Sequence, residues 1–139
     1  MNDNQYTKHV EKILTEDKRY SRYAYFFVSD AVAYSTRKVS ENSGQERRHI
    51  SGQQLLEGFK EYALKQFGPL ALEVLNNWGL YKTEDIGNIV FNLVEHGLLG
   101  AQENDVPDDF SNVYDFRTTF LEPFIPHNDD TPKSTIKIA

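Results

Sequence analysis

Residues 51–100 read SGQQLLEGFKEYALKQFGPLALEVLNNWGLYKTEDIGNIVFNLVEHGLLG, and residues 111–116 read SNVYDF. In the first segment, apolar side chains recur every three or four residues in three separate runs, which is typical of helices that bury one face. The second segment alternates apolar with polar residues after a turn-rich stretch, which indicates a hairpin. The sequence therefore predicts three helices followed by a hairpin.

Local signals mark the ends of these helices. Ser51 and Gln54 have the spacing of a capping box, in which each side chain satisfies a free backbone N–H at the helix start. Gly68 is suited to end this helix, and Pro69 is suited to begin the next one. Thr83 is the predicted N-cap of the third helix. Each boundary thus has its own chemical signal.

Two further helices are predicted upstream. Residues 5–17 show a narrow apolar stripe, whereas residues 21–39 are apolar around most of the helical circumference, which favours a buried central helix. Asp30 lies within that second helix. It is expected either on the one solvent-facing strip or in an ion pair with an arginine, and the alternative is an acid that handles a proton or contacts a ligand. Residues 40–49 are polar and predict an exposed loop.

The predicted fold class is mainly α with a small β-hairpin, an α+β arrangement. Its core is a winged-helix-like unit at residues 51–116, preceded by the buried aromatic helix. Residues 1–121 are expected to form a single helical domain. Residues 122–139 contain three prolines and are expected to form a partly mobile tail.

Composition excludes several classes of site. The chain of 139 residues has no cysteine, which excludes disulfides, thiolate metal sites and thiol nucleophiles. No apolar run approaches the roughly 20 residues of a membrane span, and the first residues lack the apolar core of a signal peptide. A cytoplasmic location is therefore expected.

Positive charge is concentrated in the first part of the chain. Residues 1–50 carry nine Lys or Arg against seven Asp or Glu, whereas residues 51–139 carry six against fourteen. The candidates for polyanion contact, at the two ends of the 21–39 helix, are Arg19, Arg22, Arg37, Lys38, Arg47 and Arg48. Nearby tyrosines are suited to stack on bases, although acidic neighbours dilute both clusters. Nucleic-acid binding through these clusters is the alternative function.

The third helix argues against nucleic-acid binding in the winged-helix manner. A recognition helix enters the major groove and needs cations on its exposed face. The residues expected on that face are Glu84, Asp85, Asn88, Asn92 and Glu95. None of them is a cation, so DNA is disfavoured at this helix.

No local motif of a catalytic, cofactor or metal site is present. The four histidines, His9, His49, His96 and His127, lie far apart in sequence. Acidic residues from 103 to 109 suggest a calcium loop, but their spacing differs from that of an EF-hand. The sequence therefore assigns no catalytic, cofactor-binding or metal-ligating residue.

Residues 51–100, followed by DDFSNVYDF, closely resemble the uncharacterised Minf-type family of bacterial hypothetical proteins. The upstream runs RYAYFFVSDAVAYSTRKV and RHISG are similar as well, so the resemblance extends from about Tyr20 to Phe120. It implies a bacterial cytoplasmic domain and assigns no activity. The acidic third helix and the absence of catalytic motifs favour a non-catalytic scaffold or protein-interaction domain whose partner is a protein, with an enzyme as the weaker third alternative.

Overall fold

A computed structural model of the chain describes residues 3–44, 50–100 and 107–126. Within these ranges the structure is all-α, and no strand occurs. The helices are α1 (Asp3–Glu16), α2 (Arg22–Ser43), α3 (Gly52–Phe67), α4 (Ala71–Asn77), α5 (Thr83–Glu95) and the short α6 (Phe116–Phe120). Single 3₁₀ turns occupy Gly68–Leu70, Pro107–Phe110 and Glu122–Phe124. No helix of the described residues is long and apolar enough to cross a membrane.

The long helix α2 lies at the centre of the fold, as its apolar pattern predicts. Ser21 caps its start by accepting the Tyr23 N–H at 3.1 Å, and Gly44 ends it in the left-handed conformation. The helix thus continues through residues 40–43, where a loop was predicted, and residues 45–49 of that loop lie outside the described residues. The prediction of a loop at 40–43 is wrong because the first positive-φ residue comes only at Gly44.

Helix α3 packs directly against α2 through a close contact at Gly58. A Cβ added at Gly58 would lie only 1.7 Å from the Ser35 Oγ, so any side chain there would push the two helices apart.

The predicted capping box at the start of α3 is confirmed. The Gln54 N–H donates to the Ser51 Oγ at 3.1 Å, and the Ser51 N–H donates to the Gln54 Oε1 at 2.9 Å.

Aromatic rings fill the space between α2, α3 and α4. Phe27 contacts four other rings, at centroid separations from 5.0 to 5.5 Å, namely Phe59, Tyr62, Phe67 and Trp78. Buried side chains from all six helices belong to one continuous cluster. The core is therefore rich in aromatic rings, and Phe27 of the predicted buried aromatic helix lies at its centre.

The predicted hairpin is wrong in the residues that the structure describes. Pro107–Phe110 forms a 3₁₀ turn, and the SNVYDF segment runs through irregular backbone into α6, while residues 101–106 of the expected turn lie outside the described residues. Phe110 is buried beside Gly87 of α5, where an added Cβ would lie 2.7 Å from its ring. Burial of this ring anchors the segment to the helices, so the wing of the winged-helix prediction is absent here.

Thr83 explains why this segment does not pair as a strand. The residue is the first of α5 and not its N-cap, which corrects the prediction. Its buried hydroxyl donates to the Phe110 carbonyl at 2.6 Å and accepts the Val113 N–H at 3.1 Å. These are backbone groups that a strand ladder would use.

Candidate functional site

Of the α5 residues that were expected to meet solvent, Asp85, Asn88 and Asn92 contact the α1–α2 region instead. Glu95 is exposed as predicted, and half-buried Glu84 accepts the Asn112 N–H at 3.2 Å.

Asp85 is only 9% exposed, and its carboxylate accepts the Tyr20 hydroxyl at 2.7 Å. It also accepts the backbone N–H groups of Tyr81 at 2.9 Å and Lys82 at 3.2 Å. The placement of Asp85 on an exposed recognition face is therefore wrong, because this carboxylate is a structural acceptor.

Neighbouring polar residues on α5 continue the same contact. The amide of Asn88 donates to the Tyr20 hydroxyl at 2.9 Å. The amide of Asn92 donates to the Tyr25 hydroxyl at 2.9 Å and to Asp17 at 3.0 Å. These positions, three and four residues apart, lie on one helix face. We call Asp85, Asn88 and Asn92 the polar stripe. Its side chains form hydrogen bonds with the α1–α2 region.

Asp17 links the polar stripe to the first basic cluster. Arg19 donates to both carboxylate oxygens of Asp17, from Nε at 2.9 Å and from Nη2 at 2.7 Å. These bonds, with a further one from Asn92, hold the pKa of the Asp17 carboxyl well below its usual range. The Arg19 guanidinium also lies 5.1 Å from the centroid of the Tyr20 ring. Arg19 is therefore a structural partner as well as a candidate contact.

The other described residues of the basic clusters have separate locations. Arg22 donates to Glu11 at 2.6 Å, and Lys38 lies 3.4 Å from Glu61. Arg37 is exposed, while Arg47 and Arg48 lie outside the described residues. Arg22 and Arg37 are fifteen residues apart on α2, or about 22 Å along its axis at 1.5 Å per residue. The structure therefore does not bring the two ends of α2 together.

A junction forms where the α1–α2 connection meets the α4–α5 connection. The Ser21 N–H donates to the Trp78 carbonyl at 3.0 Å. Gly79 has a φ of 92°, and a Cβ there would lie 2.5 Å from the Arg19 carbonyl oxygen, so the two segments are in direct backbone contact. We define the junction as residues 17–23 and 78–82.

Two tyrosines on the junction remain exposed to solvent. Tyr23 is 55% exposed and Tyr81 is 63% exposed, although most large apolar side chains of this fold are buried or half-buried. The rings of Tyr23 and Trp78 lie 6.5 Å apart. We call Tyr23, Trp78 and Tyr81 the aromatic surface. No sequence signal distinguishes its tyrosines from the buried Tyr20 and Tyr25.

Asp30 lies on the solvent-facing strip of α2, at the edge of a cleft between α1 and α2. The cleft has a volume of about 300 Å³ and is lined by Tyr6, Thr7, Phe26, Ser29 and Asp30. Partial burial raises the pKa of the Asp30 carboxyl. The expected ion pair with an arginine is not formed with any described residue. Of the two ordinary expectations for Asp30, the solvent-facing strip is the one observed.

The cleft is not arranged as a catalytic dyad. The Ser29 hydroxyl is hydrogen-bonded to the Tyr6 hydroxyl. Asp30 follows Ser29 directly on α2, so its side chain projects in another direction. A nucleophile would need the carboxylate or another base within hydrogen-bonding reach. These groups therefore do not form a nucleophile–base pair.

Two larger cavities have different linings. The groove between α2 and α3, of about 410 Å³, contains the Lys38–Glu61 pair and other polar side chains. A cavity of about 570 Å³ lies beside α4 between Pro69 and Leu121. Within the described residues, no cluster of three His, Asp or Glu side chains is arranged to hold a metal ion. Of the acidic residues of the suggested calcium loop, those at 103 and 105 lie outside these ranges.

No protein-family model, curated protein or solved structure matches the chain. The resemblance to the Minf-type family accordingly stays a prediction.

Proposed function

We propose that this chain is a non-catalytic scaffold domain that binds another protein through its aromatic surface. The observation that carries the proposal is the exposure of Tyr23 and Tyr81, at 55% and 63%, on a junction that is otherwise tightly held. Large aromatic side chains at a protein surface are frequent anchors of protein interfaces. The proposal requires no chemistry from the site beyond burial of these rings.

The backbone beneath the aromatic surface is fixed before any partner arrives. The Ser21–Trp78 hydrogen bond joins its two segments, and the Tyr20–Asp85 hydrogen bond joins the same region to α5. A surface that is already ordered loses less conformational entropy on binding, so more of the contact energy contributes to affinity. Tyrosine adds to this effect because it has only two side-chain torsions to fix.

Charged side chains border the aromatic surface and suggest the chemistry of the partner. Arg19 and Arg22 have side chains that are 57% and 48% exposed, and each already pairs with one carboxylate. Their remaining N–H groups are available to an acidic group of a partner. Such rim charges act mainly on association rate and specificity. We therefore propose a partner that offers an apolar pocket with an acidic border.

Nucleic-acid binding is the second candidate, and one observation favours it. Exposed Tyr23 and Tyr81 lie on the same junction as Arg19 and Arg22, and stacking rings beside cations are typical of single-strand binding surfaces. Against it, Asp17 and Glu11 partly neutralise these two arginines. Arg37 and Lys38, the described residues of the second cluster, lie too far along α2 to enlarge the same surface.

A capture experiment tests the first candidate. Tagged wild-type protein, the Tyr23→Ala/Tyr81→Ala variant and the control Leu70→Ala/Phe124→Ala variant are incubated with nuclease-treated lysate of the source cells. The control removes two apolar side chains, 59% and 42% exposed, outside the junction. We expect one protein to be retained by wild type and control and reduced at least about tenfold by the junction variant, as for interface anchors. Equal retention by both variants would contradict the proposal.

A titration distinguishes nucleic-acid binding, the second candidate, from binding of a protein partner. Wild type is titrated with a fluorescent single-stranded oligonucleotide at several salt concentrations. Binding at micromolar concentration that weakens steeply with salt, and that is lost in Arg19→Gln/Arg22→Gln, would favour nucleic acid over a protein partner. Absence of such binding is the result that we expect.

A further inference from the structure

The cleft between α1 and α2 combines groups that suit one class of ligand. Tyr6 of α1 and Phe26 of α2 have ring centroids 5.9 Å apart, and both side chains are half-buried. Asp30 lies one helical turn after Phe26, so its carboxylate is on the same face of α2 as that ring. Aromatic faces carry negative electrostatic potential, and a carboxylate adds a full negative charge. All three groups therefore favour a cation.

The Asp30 carboxylate lacks a compensating charge among the described residues. No hydrogen bond or ion pair from those residues reaches it, and burial by its neighbours is the cause that raises its pKa. Its charge also acts on the Tyr6 and Tyr62 hydroxyls, whose pKa values are raised first by burial and then by Asp30. A cation in the cleft would offset the cost of holding this carboxylate among rings.

Two hydroxyl groups of the cleft, those of Tyr6 and Ser29, are already paired. Tyr6 and Ser29 are hydrogen-bonded to each other across α1 and α2, which fixes the position of the Tyr6 ring. The cleft therefore presents ring faces and one charge, with few free donors for an anion or a sugar. Its volume of about 300 Å³ lies at the lower end of the roughly 300–1,000 Å³ range of ligand sites.

We propose that this cleft binds a small organic cation with an alkylammonium group, with Asp30 as the counter-ion and the rings of Tyr6 and Phe26 as the walls. The site lies on α1 and α2 and uses no residue of the aromatic surface. It is therefore independent of the protein partner proposed above. A methylated ammonium suits the cleft best, because its charge is spread over apolar methyl groups that pack on ring faces.

The proposal is tested by titrating the 139-residue chain with tetramethylammonium chloride and following its backbone amide resonances. Sodium chloride at equal ionic strength controls for screening, and tert-butanol serves as a neutral molecule of similar shape. We expect shifts at α1 and α2 residues around the cleft, with a dissociation constant of about 1 mM or below. Sodium chloride and tert-butanol should produce no saturable shifts there.

Variants separate the contribution of charge from that of the rings. Asp30→Asn keeps the shape of the side chain and should weaken binding about threefold to fivefold, since solvent screens an ion pair with an exposed carboxylate. Phe26→Leu should weaken it about threefold. The control Asp108→Asn, which removes an exposed carboxylate from the Pro107–Phe110 turn, should bind as wild type does.

Three results would overturn the proposal. One is the absence of saturable shifts at the cleft in wild type. Another is equal binding of tert-butanol, which would make the cleft merely apolar. The third is unchanged binding by Asp30→Asn, provided that its amide spectrum shows the native fold.

Discussion

The hydroxyl of Tyr20 donates a 2.7 Å hydrogen bond to the carboxylate of Asp85, which is 65 positions away in sequence. Asp85 also accepts the two backbone N–H groups that precede α5, so one buried carboxylate fixes the start of its own helix and joins it to Tyr20. The Asn88 amide donates a further hydrogen bond to the same Tyr20 hydroxyl. The α1–α2 region and α5 are thus held together by polar contacts as well as by the aromatic core.

Asp85→Ala should destabilise the fold strongly. The change leaves the Tyr20 hydroxyl and two backbone donors without their acceptor in a site that is only 9% exposed. Loss of hydrogen bonds to a charged group costs about 2–3 kcal/mol in such a setting. Chemical denaturation of Asp85→Ala and of the exposed control Asp108→Ala measures the difference. A loss equal to that of the control would show that the network contributes little.

The Tyr20 hydroxyl should make stability fall at alkaline pH. Burial, together with the hydrogen bond to Asp85, raises the pKa of Tyr20 to about 12. Because this value exceeds the unfolded value of about 10, the contribution of the group is complete below about pH 10 and is lost as the pH rises through 12. Denaturation of wild type and Tyr20→Phe between these pH values should show a smaller decrease in the variant. Parallel pH profiles would contradict this assignment.

Gly58→Ala should be destabilising although alanine is the better helix former. The added Cβ would meet the Ser35 Oγ at 1.7 Å, and the Ser35 backbone Cα is only 3.1 Å away. Overpacking of this kind costs about 1–3 kcal/mol, more than the helix propensity gained. Thermal unfolding of Gly58→Ala and of the exposed α3 control Gln66→Ala compares the two effects. An increase in Tm for Gly58→Ala would show that the α2–α3 contact can relax freely.

Asp30→Asn should leave the fold equally stable or slightly more stable at neutral pH. Burial raises the folded-state pKa of Asp30, so its stabilising contribution is present only at low pH and is lost as pH rises through that pKa. At pH 7 the ionised carboxylate therefore costs stability, and its removal should gain about 0.5 kcal/mol or less, with no gain below about pH 4. Denaturation at the two pH values measures this. A loss of stability at pH 7 would contradict the unpaired state of this carboxylate.

The sequence predicts the helices well because their boundaries depend on local chemistry. Ser51 with Gln54, and Gly68 with Pro69, act through neighbouring backbone groups and need no tertiary information. The hairpin prediction fails for the opposite reason. The alternation in SNVYDF is typical of a strand. However, the Phe110 ring packs beside Gly87, and the Thr83 hydroxyl donates to the Phe110 carbonyl. Both contacts join residues more than twenty positions apart, so local sequence does not predict them.

The polar stripe shows the same limit at the candidate site. Asp85, Asn88 and Asn92 have helical spacing, and polar residues at such spacing normally face solvent. These three side chains instead bond to the Tyr20 and Tyr25 hydroxyls and the Asp17 carboxylate, which only the fold brings next to α5. The sequence does not predict the exposure of Tyr23 and Tyr81 either, because no sequence signal distinguishes them from the buried Tyr20 and Tyr25.

Site-specific photo-crosslinking gives the most direct test of the proposed protein interaction. Benzoylphenylalanine replaces Tyr81 in one version of the chain and Phe124, which is exposed outside the junction, in a control version. Both versions are expressed in the source cells and irradiated. We predict a discrete crosslink to one partner protein from position 81 and none of that size from position 124. No protein crosslink from position 81, or the same crosslink from both positions, would contradict the proposal that the aromatic surface is the binding site.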